Sequence, residues 1–178
     1  MTRVSVLLPV YNGEPFVRGA IASILAQTMT DLELLIVDDG STDASLETIS
    51  QMAASDRRIR FWSRANKGLV HTLNELLERA SSPFIARMDA DDLAAPDRFE
   101  RQLRELENDE QLLAVGSDVH SIDSKGRRLM TIVMPRSHQE IEAYTLSVVH
   151  GCGMCHPSMM FKARAFEGTC TDLPPVRR

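Results

Sequence analysis

The chain has 178 residues, with 43% hydrophobic and 25% charged residues, which is ordinary for a soluble globular protein. This composition excludes a collagen, a coiled coil and wholesale disorder, and the length predicts about one domain. A net charge of −5, from 20 Lys and Arg against 25 Asp and Glu, excludes the basic surface of a nucleic-acid-binding protein. No apolar run approaches the roughly 18 residues that a membrane-spanning helix needs. With three cysteines and no signal-peptide pattern, we expect a cytoplasmic protein without a disulfide framework.

Segments with strand and helix patterns alternate through the first half of the chain. Continuous apolar runs such as 32–37 are typical of parallel strands that are covered on both faces. The alternation predicts an α/β fold with a mostly parallel central sheet flanked by helices. The predicted strands are 4–9, 32–37, 59–62 and 84–88, and the predicted helices run from 16 to 25, from the capping residues Ser41 and Asp43 to about 54, and from 68 to 80.

The second half of the chain has a different order of elements. The predictions here are a helix from 96 to about 106, strands at 112–119 and 129–134 around a turn at 123–126, a helix at 137–149 and a short strand at 159–161. The tail at 168–178 has two prolines and no periodicity, so we expect it to be irregular.

Polar clusters follow three of the predicted strands. Parallel α/β sheets bind ligands at the carboxyl ends of their strands, and these ends carry Tyr11–Asn12, Asp38–Asp39 and Asp89–Asp92. The three carboxylates of Asp89–Asp92 repel one another when they are desolvated, and a cation relieves this repulsion. Mg²⁺ binds one or two carboxylates together with phosphate oxygens and water, which favours a metal site. The alternative is a solvated acidic turn that caps a helix.

Three further groups have both a ligand-binding and a structural interpretation. The carboxylate of Asp38 or Asp39 can accept a hydrogen bond from an imide N–H, or the segment can be a helix-capping turn. Tyr11 can stack on a nucleobase or be an ordinary surface tyrosine. The segment Arg64–Gly68 precedes a helix, so its backbone N–H groups could face a phosphate. The common glycine-rich phosphate-binding patterns are absent from the sequence.

The run Cys152-Gly-Met-Cys155-His156 matches the C-x-x-C-H pattern of covalent haem attachment. With His150 nearby, it is also compatible with structural zinc. No export signal accompanies the haem pattern, and no second ligand pair accompanies the zinc pattern. Ordinary small residues beside a strand are the favoured interpretation.

Several segments together resemble the family 2 inverting glycosyltransferases of the GT-A fold. They are Val6-Leu-Leu-Pro-Val-Tyr-Asn12, Ile36-Val-Asp-Asp-Gly-Ser-Thr-Asp43, Asn66-Lys-Gly68, and Met88-Asp-Ala-Asp-Asp92 with Pro96-Asp-Arg98. The resemblance covers residues 3–166 and extends to Cys155–Phe161, which is similar to the family's strand near the acceptor side. It implies one GT-A domain over 1–167, with a nucleotide-sugar-binding half at 1–92 and the start of an acceptor half at 93–167.

The resemblance implies a nucleotide-sugar donor, most often a uridine diphosphate sugar, and a divalent Mg²⁺ or Mn²⁺ ion. Tyr11 would stack on the uracil, and Asp39 would bind the imide N–H of that base. Asp89 would contact the ribose, and Asp91 would coordinate the metal, which stabilises the leaving diphosphate. The other expected nucleotide-sugar-binding residues are Pro9, Asn12, Asp38, Asn66, Lys67 and Gly68.

The catalytic general base is the point at which this sequence departs from the family pattern. The family's acidic motif is expected shortly after residue 166, but Asp172 is the only carboxylate in the tail and its context does not match. We therefore expect a truncation before this motif, and no base is assigned. Such a truncation predicts exposed apolar surface around Met159–Phe161 and, from it, self-association.

These observations predict an enzyme that transfers a sugar with inversion to a polysaccharide or lipid-linked acceptor, in cell-surface polysaccharide synthesis. We expect it at the inner face of the membrane. The alternative is a catalytically silent nucleotide-sugar-binding module that lacks the general base, and donor turnover separates the two. A nucleotidyltransferase would need a glycine-rich, basic loop after the first strand, and Asn12-Gly-Glu-Pro15 is neither.

Overall fold

The computed structural model describes residues 2–146 and 153–167. Strand and helix alternate in these residues as far as the fourth helix. The elements are β1 Val4–Val10, α1 Val17–Leu25, β2 Leu32–Asp38, α2 Ser45–Ser55, β3 Ile59–Ser63, α3 Leu69–Arg79, β4 Phe84–Arg87, α4 Arg98–Asn108, β5 Ala114–Val115, β6 Val119–Ile122, β7 Arg128–Ile132, α5 His138–Leu146 and β8 Met160–Lys162. Two short 3₁₀ turns, His156–Ser158 and Ala163–Phe166, flank β8.

The central sheet has six strands in the order β3-β2-β1-β4-β8-β5. The first four of these strands are parallel, with β1 between β2 and β4 and with β3 on the outer side of β2. β8 runs antiparallel to both β4 and β5. The predicted α/β architecture with a mostly parallel sheet is therefore confirmed. β6 and β7 form a separate antiparallel hairpin.

Both faces of the central strands are covered, as their continuous apolar sequences predict. Alternate residues of a strand point to opposite faces of the sheet. Val6 and Leu8 of β1 therefore join a core with residues of α1, α2 and α4, whereas Leu7 joins a second core with Leu76 of α3. Burying a leucine or valine side chain contributes about 1.5–3 kcal/mol. This packing holds the strands, and thus their carboxyl ends, in place.

The prediction of one continuous strand at 112–119 is wrong. Its first part is β5 in the central sheet, whereas its end belongs to β6 and pairs with β7. Gly116 lies between the two, and a Cβ atom there would be 2.8 Å from the Sδ atom of Met159. The amide of Ser117 then donates to the hydroxyl of Ser158 (3.2 Å) instead of to a neighbouring strand. The chain leaves the sheet at this point because the backbone packs directly on the segment before β8.

The segment at the start of β8 is buried between β4 and β5. Met159 is 3% exposed and Met160 is 0% exposed. The expectation of an exposed apolar patch around Met159–Phe161 is therefore wrong, because β8 inserts into the central sheet instead of ending at its surface. The expected self-association loses this basis.

α5 accounts for most of the helix predicted at 137–149, and none of its described residues is buried. The residues after Leu146 in that prediction lie outside the described ranges, as does the tail at 168–178. Of the helices that the structure describes, none combines the length and the apolar character needed to cross a lipid bilayer.

Candidate functional site

Three polar segments meet at one edge of the sheet because β1, β2 and β4 are parallel neighbours. Val10 at the end of β1 is in register with Asp38, and Leu7 is in register with Arg87 at the end of β4. The amide of Asp39 donates to the carbonyl of Val10 (2.7 Å), which extends the β1–β2 pairing by one residue. The three polar clusters singled out in the sequence therefore follow three adjacent strands.

Tyr11 follows β1 and is 55% exposed. The next residue, Asn12, has a φ angle of +50°, which turns the chain sharply. Its amide donates to the hydroxyl of Ser41 (2.9 Å), and its side-chain oxygen accepts a hydrogen bond from the amide of Thr42 (2.8 Å). Asn12 thus clamps the loop after β1 to the loop after β2, and this leaves the ring of Tyr11 accessible at the sheet edge.

The carboxylate of Asp39 is buried and bound by the loop that precedes α3. The amides of Lys67 and Gly68 donate to it at 2.8 and 2.9 Å, and the guanidinium of Arg64 forms an ion pair with it. Burial raises the pKa of Asp39, but these donors outweigh burial and hold the pKa below its usual range. A carboxylate can accept about four hydrogen bonds. Because three positions are used, one remains for a further donor.

The loop before α3 is fixed by the same arginine. Arg64 also donates to the carboxylate of Glu75 (2.7 Å) and to the hydroxyl of Thr72 (2.9 Å), both on α3. The amides of Lys67 and Gly68 already donate to a carboxylate. The interpretation of these two N–H groups as phosphate ligands is therefore wrong in this structure.

The remaining expected donor-binding residues divide into buried and exposed ones. Pro9 lies inside β1, and Asp38 is 1% exposed and accepts a hydrogen bond from the hydroxyl of Ser63 (2.8 Å). Both residues are buried at the strand ends, as Asp39 also is, and their contact with the donor stays a prediction. Asn66 and Lys67 are exposed in the loop before α3 and remain candidates.

The carboxylates of the acidic turn Asp89–Asp92 lie in different environments. Asp89 is half-buried and forms an ion pair with Arg87. Burial raises the pKa of Asp89, Arg87 opposes this shift and Asp91 adds to it, so that the net direction is upward. Burial, followed by the charges of Asp89 and Asp91, also raises the pKa of Asp92. The turn therefore carries negative charge that a cation would relieve.

Two arginines lie beneath the acidic turn, and neither of them is given a role by the sequence pattern. Arg98 at the start of α4 donates to the backbone carbonyls of Arg87 (2.9 Å) and Met159 (3.3 Å), and burial lowers its pKa to about 10. Arg87 itself is 5% exposed. The available signal was a charge inside the apolar strand sequence Phe84-Ile-Ala-Arg-Met88, because a buried charge requires a partner.

A cleft of about 1100 Å³ opens beside the acidic turn, which is ample for a small-molecule ligand. Its walls are the turn, one side of α4, the segment between β5 and β6, and the start of the β6–β7 hairpin. Residues that represent these walls are Asp91, Asp92, Arg104, Ser117, His120 and Ile132. The cleft therefore joins the end of β4 to elements of the second half of the chain, and Tyr11 and Asp39 are not among its lining residues.

The predicted metal ligand, Asp91, is exposed and lines the cleft. Within the two described ranges, no three His, Cys, Asp or Glu side chains are grouped so that they could hold a metal ion. Asp89 is already paired with Arg87. A magnesium ion needs only one or two carboxylates when phosphate oxygens and water complete its shell. Asp91 beside Asp92 fits a metal that arrives with a diphosphate.

The C-x-x-C-H segment is described only in part. Cys155 is half-buried, and the His156 ring lies 6.5 Å from the ring of Phe161, centroid to centroid. Burial and the charge of Arg87 lower the pKa of His156, against an opposing effect of Asp89. Outside the described residues lie Cys152, His150 and the tail carboxylate Asp172.

Comparisons with known proteins agree with this geometry. A family model described as "Glycosyl transferase family 2" matches residues 5–167. The EpsE protein of Bacillus subtilis (strain 168), named as a glycosyltransferase, is 36% identical over 178 residues, which cover 99% of this chain and 62% of EpsE. A chondroitin synthase of Escherichia coli is 32% identical over 166 residues, or 93% of this chain and 23% of the synthase. The chain thus spans less than two thirds of the length of these relatives.

Two solved structures have a similar backbone. S. aureus TarS 1-349 in complex with UDP-GlcNAc matches with a TM-score of 0.71 and 19% identity, over 93% of this chain and 46% of that chain, which is evidence of fold. The mannosyltransferase PcManGT from Pyrobaculum calidifontis, in complex with GDP-Man and Mn²⁺, matches with a TM-score of 0.61 and 27% identity, over 65% and 35% of the two chains. Because the family model covers nearly the whole chain and the sheet has the predicted GT-A arrangement, the protein belongs to glycosyl transferase family 2.

Proposed function

We propose that the protein transfers a sugar from a nucleotide-diphosphate sugar, in the first place a UDP-sugar, with inversion at the sugar. The observation that carries this proposal is the meeting of Tyr11, Asp39 and the acidic turn at the ends of three adjacent strands. An aromatic face, a hydrogen-bond acceptor and a group of carboxylates suit a nucleobase, its imide N–H and a metal-bound diphosphate. Membership of the family supports the reaction class.

Asp39 supports a base that offers an N–H donor. Its carboxylate has one position left after the contacts from Arg64, Lys67 and Gly68, and uracil can fill that position with its imide N–H. Guanine also carries a ring N–H, whereas the ring nitrogen of cytosine at this place is an acceptor and would be repelled. The structure of TarS, which matches most of this chain, is a complex with UDP-GlcNAc. This complex favours uridine in our proposal.

Asp91 is the residue that we propose to hold Mg²⁺ or Mn²⁺ when a donor is present, with Asp92 beside it. The bound metal would stabilise the charge that develops on the leaving diphosphate. Asp89 would contact the ribose, since it lines the same cleft and lies closest to the end of β4. PcManGT, which was solved with Mn²⁺, supports the use of a divalent ion.

The general base is the part of the mechanism without an assigned residue. Inversion requires a base that takes the proton of the acceptor hydroxyl on the face opposite to the leaving diphosphate, and such assistance contributes about 10²–10⁴-fold to the rate. We assign no described carboxylate to this task. A chain without the base would bind the nucleotide sugar and leave it unchanged, which is the outcome expected of the silent binding module.

The acceptor that we propose is a growing polysaccharide or a lipid-linked glycan, used in the cytoplasm at the inner face of the membrane. The chondroitin synthase of Escherichia coli supports a polysaccharide product. The cleft supports a sugar as the ligand, because carboxylates, hydroxyls and apolar side chains all line its walls. Fractionation of the native protein, followed by transfer assays on soluble and lipid-linked acceptors, tests this part.

The decisive experiment is a thermal-shift and calorimetric panel of nucleotide sugars, with Mn²⁺ and with chelator. We expect a UDP-sugar to bind in the presence of Mn²⁺, and Asp91→Asn to weaken this binding by at least about tenfold. Asp31→Asn is the matched control, since Asp31 is exposed, precedes β2 at the end of the sheet remote from the acidic turn, does not line the cleft and should change the affinity little. Equal affinity with Mn²⁺ and with chelator would contradict the metal, and binding of none of the nucleotide sugars would overturn the proposed function.

A transfer assay on the same protein then separates the enzyme from the binding module. UDP release and glycosylated acceptor are measured side by side by mass spectrometry. Release coupled to a glycosylated product identifies the transferase, and inversion is read from the anomeric configuration of that product. Tight donor binding without release of UDP identifies the silent module.

A further inference from the structure

Arg87 is a buried cation at the last position of β4. Only 6% of its side chain is exposed, whereas 32% of the Asp89 side chain is exposed, and the two form an ion pair. Residues two apart in an extended chain point to the same side. The sequence Arg-Met-Asp therefore places a guanidinium directly behind the first carboxylate of the acidic turn.

The neighbouring buried arginine, Arg98, has a different set of contacts. Its guanidinium donates to the backbone carbonyls of residues 87 and 159 and to the side-chain oxygen of Gln102 (3.1 Å), so it ties β4, β8 and α4 together. Arg87 makes no such structural contact: its Nε atom is buried and has no hydrogen-bond partner among the described residues. The interaction that explains its burial is the pair with Asp89.

The position of Arg87 also excludes direct contact with a ligand in the cleft. Asp89 lines the cleft, and Arg87 lies behind it, outside the set of lining residues. The carboxylate of Asp89, which is paired with Arg87 and lines the cleft, is the group through which Arg87 can position a ligand. A charged partner on one side restricts the orientations of a carboxylate. This restriction reduces the entropic cost of ordering the carboxylate when a ligand binds.

We propose that Arg87 is a positioning residue of the donor site, whose guanidinium holds the Asp89 carboxylate in the orientation that a bound nucleotide requires. The inference rests on the proposed function, in which Asp89 contacts the donor. It adds a residue that touches no donor and yet sets the affinity for it. Because Asp89 is paired with Arg87, Asp91 and Asp92 are the carboxylates of the turn that are left for a metal.

The test is a double-mutant cycle on nucleotide affinity, with UDP and Mn²⁺ as the probe in isothermal titration calorimetry. The variants are Arg87→Met, Asp89→Asn and the double variant, with displacement titrations where the affinity is weak. We expect Arg87→Met to lower the affinity by about tenfold in the presence of Asp89 and by less than about twofold in the Asp89→Asn background. Arg87→Lys, which keeps the charge, should recover part of the loss.

A matched control is Arg127→Met. Arg127 pairs with Asp123 in the β6–β7 turn and lies outside the cleft, so its replacement should leave UDP affinity unchanged. If Arg87→Met fails to fold by circular dichroism, the comparison of Arg87→Lys in the two Asp89 backgrounds decides the proposal, because both keep a buried cation.

The outcomes distinguish this inference from the proposed function. Equal losses in both Asp89 backgrounds would mean that Arg87 only supports the fold, and an unchanged affinity of Arg87→Met would mean that the pair is irrelevant to binding. Either result overturns the positioning role while wild-type binding of UDP leaves the proposed function intact. Failure of the wild-type protein to bind UDP or any UDP-sugar overturns the proposed function, and this inference with it.

Discussion

The carboxylates at the three strand ends respond to their surroundings in opposite directions. Asp39 receives two amides and a guanidinium, so its charged form is stabilised despite burial. Asp89 and Asp92 are raised in pKa by burial and by their acidic neighbours, so their charged forms are disfavoured. The charge of Asp39 is therefore already stabilised by donors of the protein. The carboxylates of the acidic turn would instead be stabilised by a bound cation.

The lowered pKa of Asp39 predicts that this residue stabilises the fold at neutral pH and that the stabilisation is lost in acid. Because its folded pKa is lower than the ordinary value of 3.8, its charge stabilises the fold above that pH, and the contribution is lost as the pH falls through the folded pKa. We expect Asp39→Asn to cost about 1–3 kcal/mol at pH 7. Urea unfolding of both proteins from pH 7 to pH 3 measures the difference, which should shrink at the acid end. A constant difference over this range would contradict the assignment.

Tyr11 gives a prediction with a matched aromatic control. Tyr11 and Phe16 are both exposed, at 55% and 47%, and both belong to the segment between β1 and α1. Stacking of a base on an aromatic ring contributes about 1–3 kcal/mol. We expect Tyr11→Ala to weaken UDP binding by about tenfold, whereas Phe16→Ala should change it little. Calorimetry with UDP and Mn²⁺ measures both, and equal effects would argue against stacking on Tyr11.

At the scale of elements, the loop after β2 and the loop before α3 are built against each other through Gly40. This glycine has a φ angle of +79°, and a Cβ atom there would lie 2.8 Å from the backbone nitrogen of Asn66. The left-handed backbone alone makes an L-residue cost about 1–2 kcal/mol. The close approach adds a clash with backbone that cannot move without displacing the contacts of Asp39.

Gly40→Ala is therefore expected to destabilise the protein more than Gly126→Ala. Gly126 has a similar φ angle of +76°, but a Cβ atom there would meet nothing within 4 Å, so only the backbone cost of about 1–2 kcal/mol applies. Urea unfolding compares the two variants, and calorimetry with UDP should show a loss of affinity for Gly40→Ala alone. A larger effect at Gly126 would show that the loop contact is unimportant.

The elements of the first half could be predicted from the sequence because each strand is rich in apolar residues and is followed by polar residues. The break between β5 and β6 could not, since it depends on Gly116 packing against Met159, which is remote in sequence. The contacts of Lys67 and Gly68 with Asp39 were missed for the same reason. Strand ends follow from local pattern, whereas the partners of loop amides are set by tertiary structure.

The candidate site shows the same division between pattern and packing. Adjacent parallel strands bring their carboxyl ends together whatever the loops contain, so the meeting of Tyr11, Asp39 and Asp89 could be expected. The ion pairs of Arg64 and Arg87 required knowledge of which charges are buried. Pro9 and Asp38 were assigned to the donor together with these residues, and their burial could not be foreseen from the sequence alone.

At the scale of the whole molecule, β8 connects the two halves of the chain through one sheet. Met160 is fully buried and packs in the core that includes Phe99 of α4. We expect Met160→Ala to cost about 2–5 kcal/mol. The matched control is Met130→Ala in β7, where the side chain is 58% exposed and the cost should stay within about 0.5 kcal/mol. Urea unfolding measures both, and similar costs would contradict the insertion of β8.

The insertion of β8 also has a consequence for the order in which the chain can fold during synthesis. Ala86 of β4 pairs with Met160, so one side of β4 has no partner until the ribosome has released nearly all of the described chain. Until then, β4 is an open edge that can pair with other nascent chains. The acidic turn follows this edge directly, and the carbonyl of Met159 accepts hydrogen bonds from the backbone amide of Arg87 and from the guanidinium of Arg98. Assembly of that part of the site therefore waits for β8, which is translated long after β4.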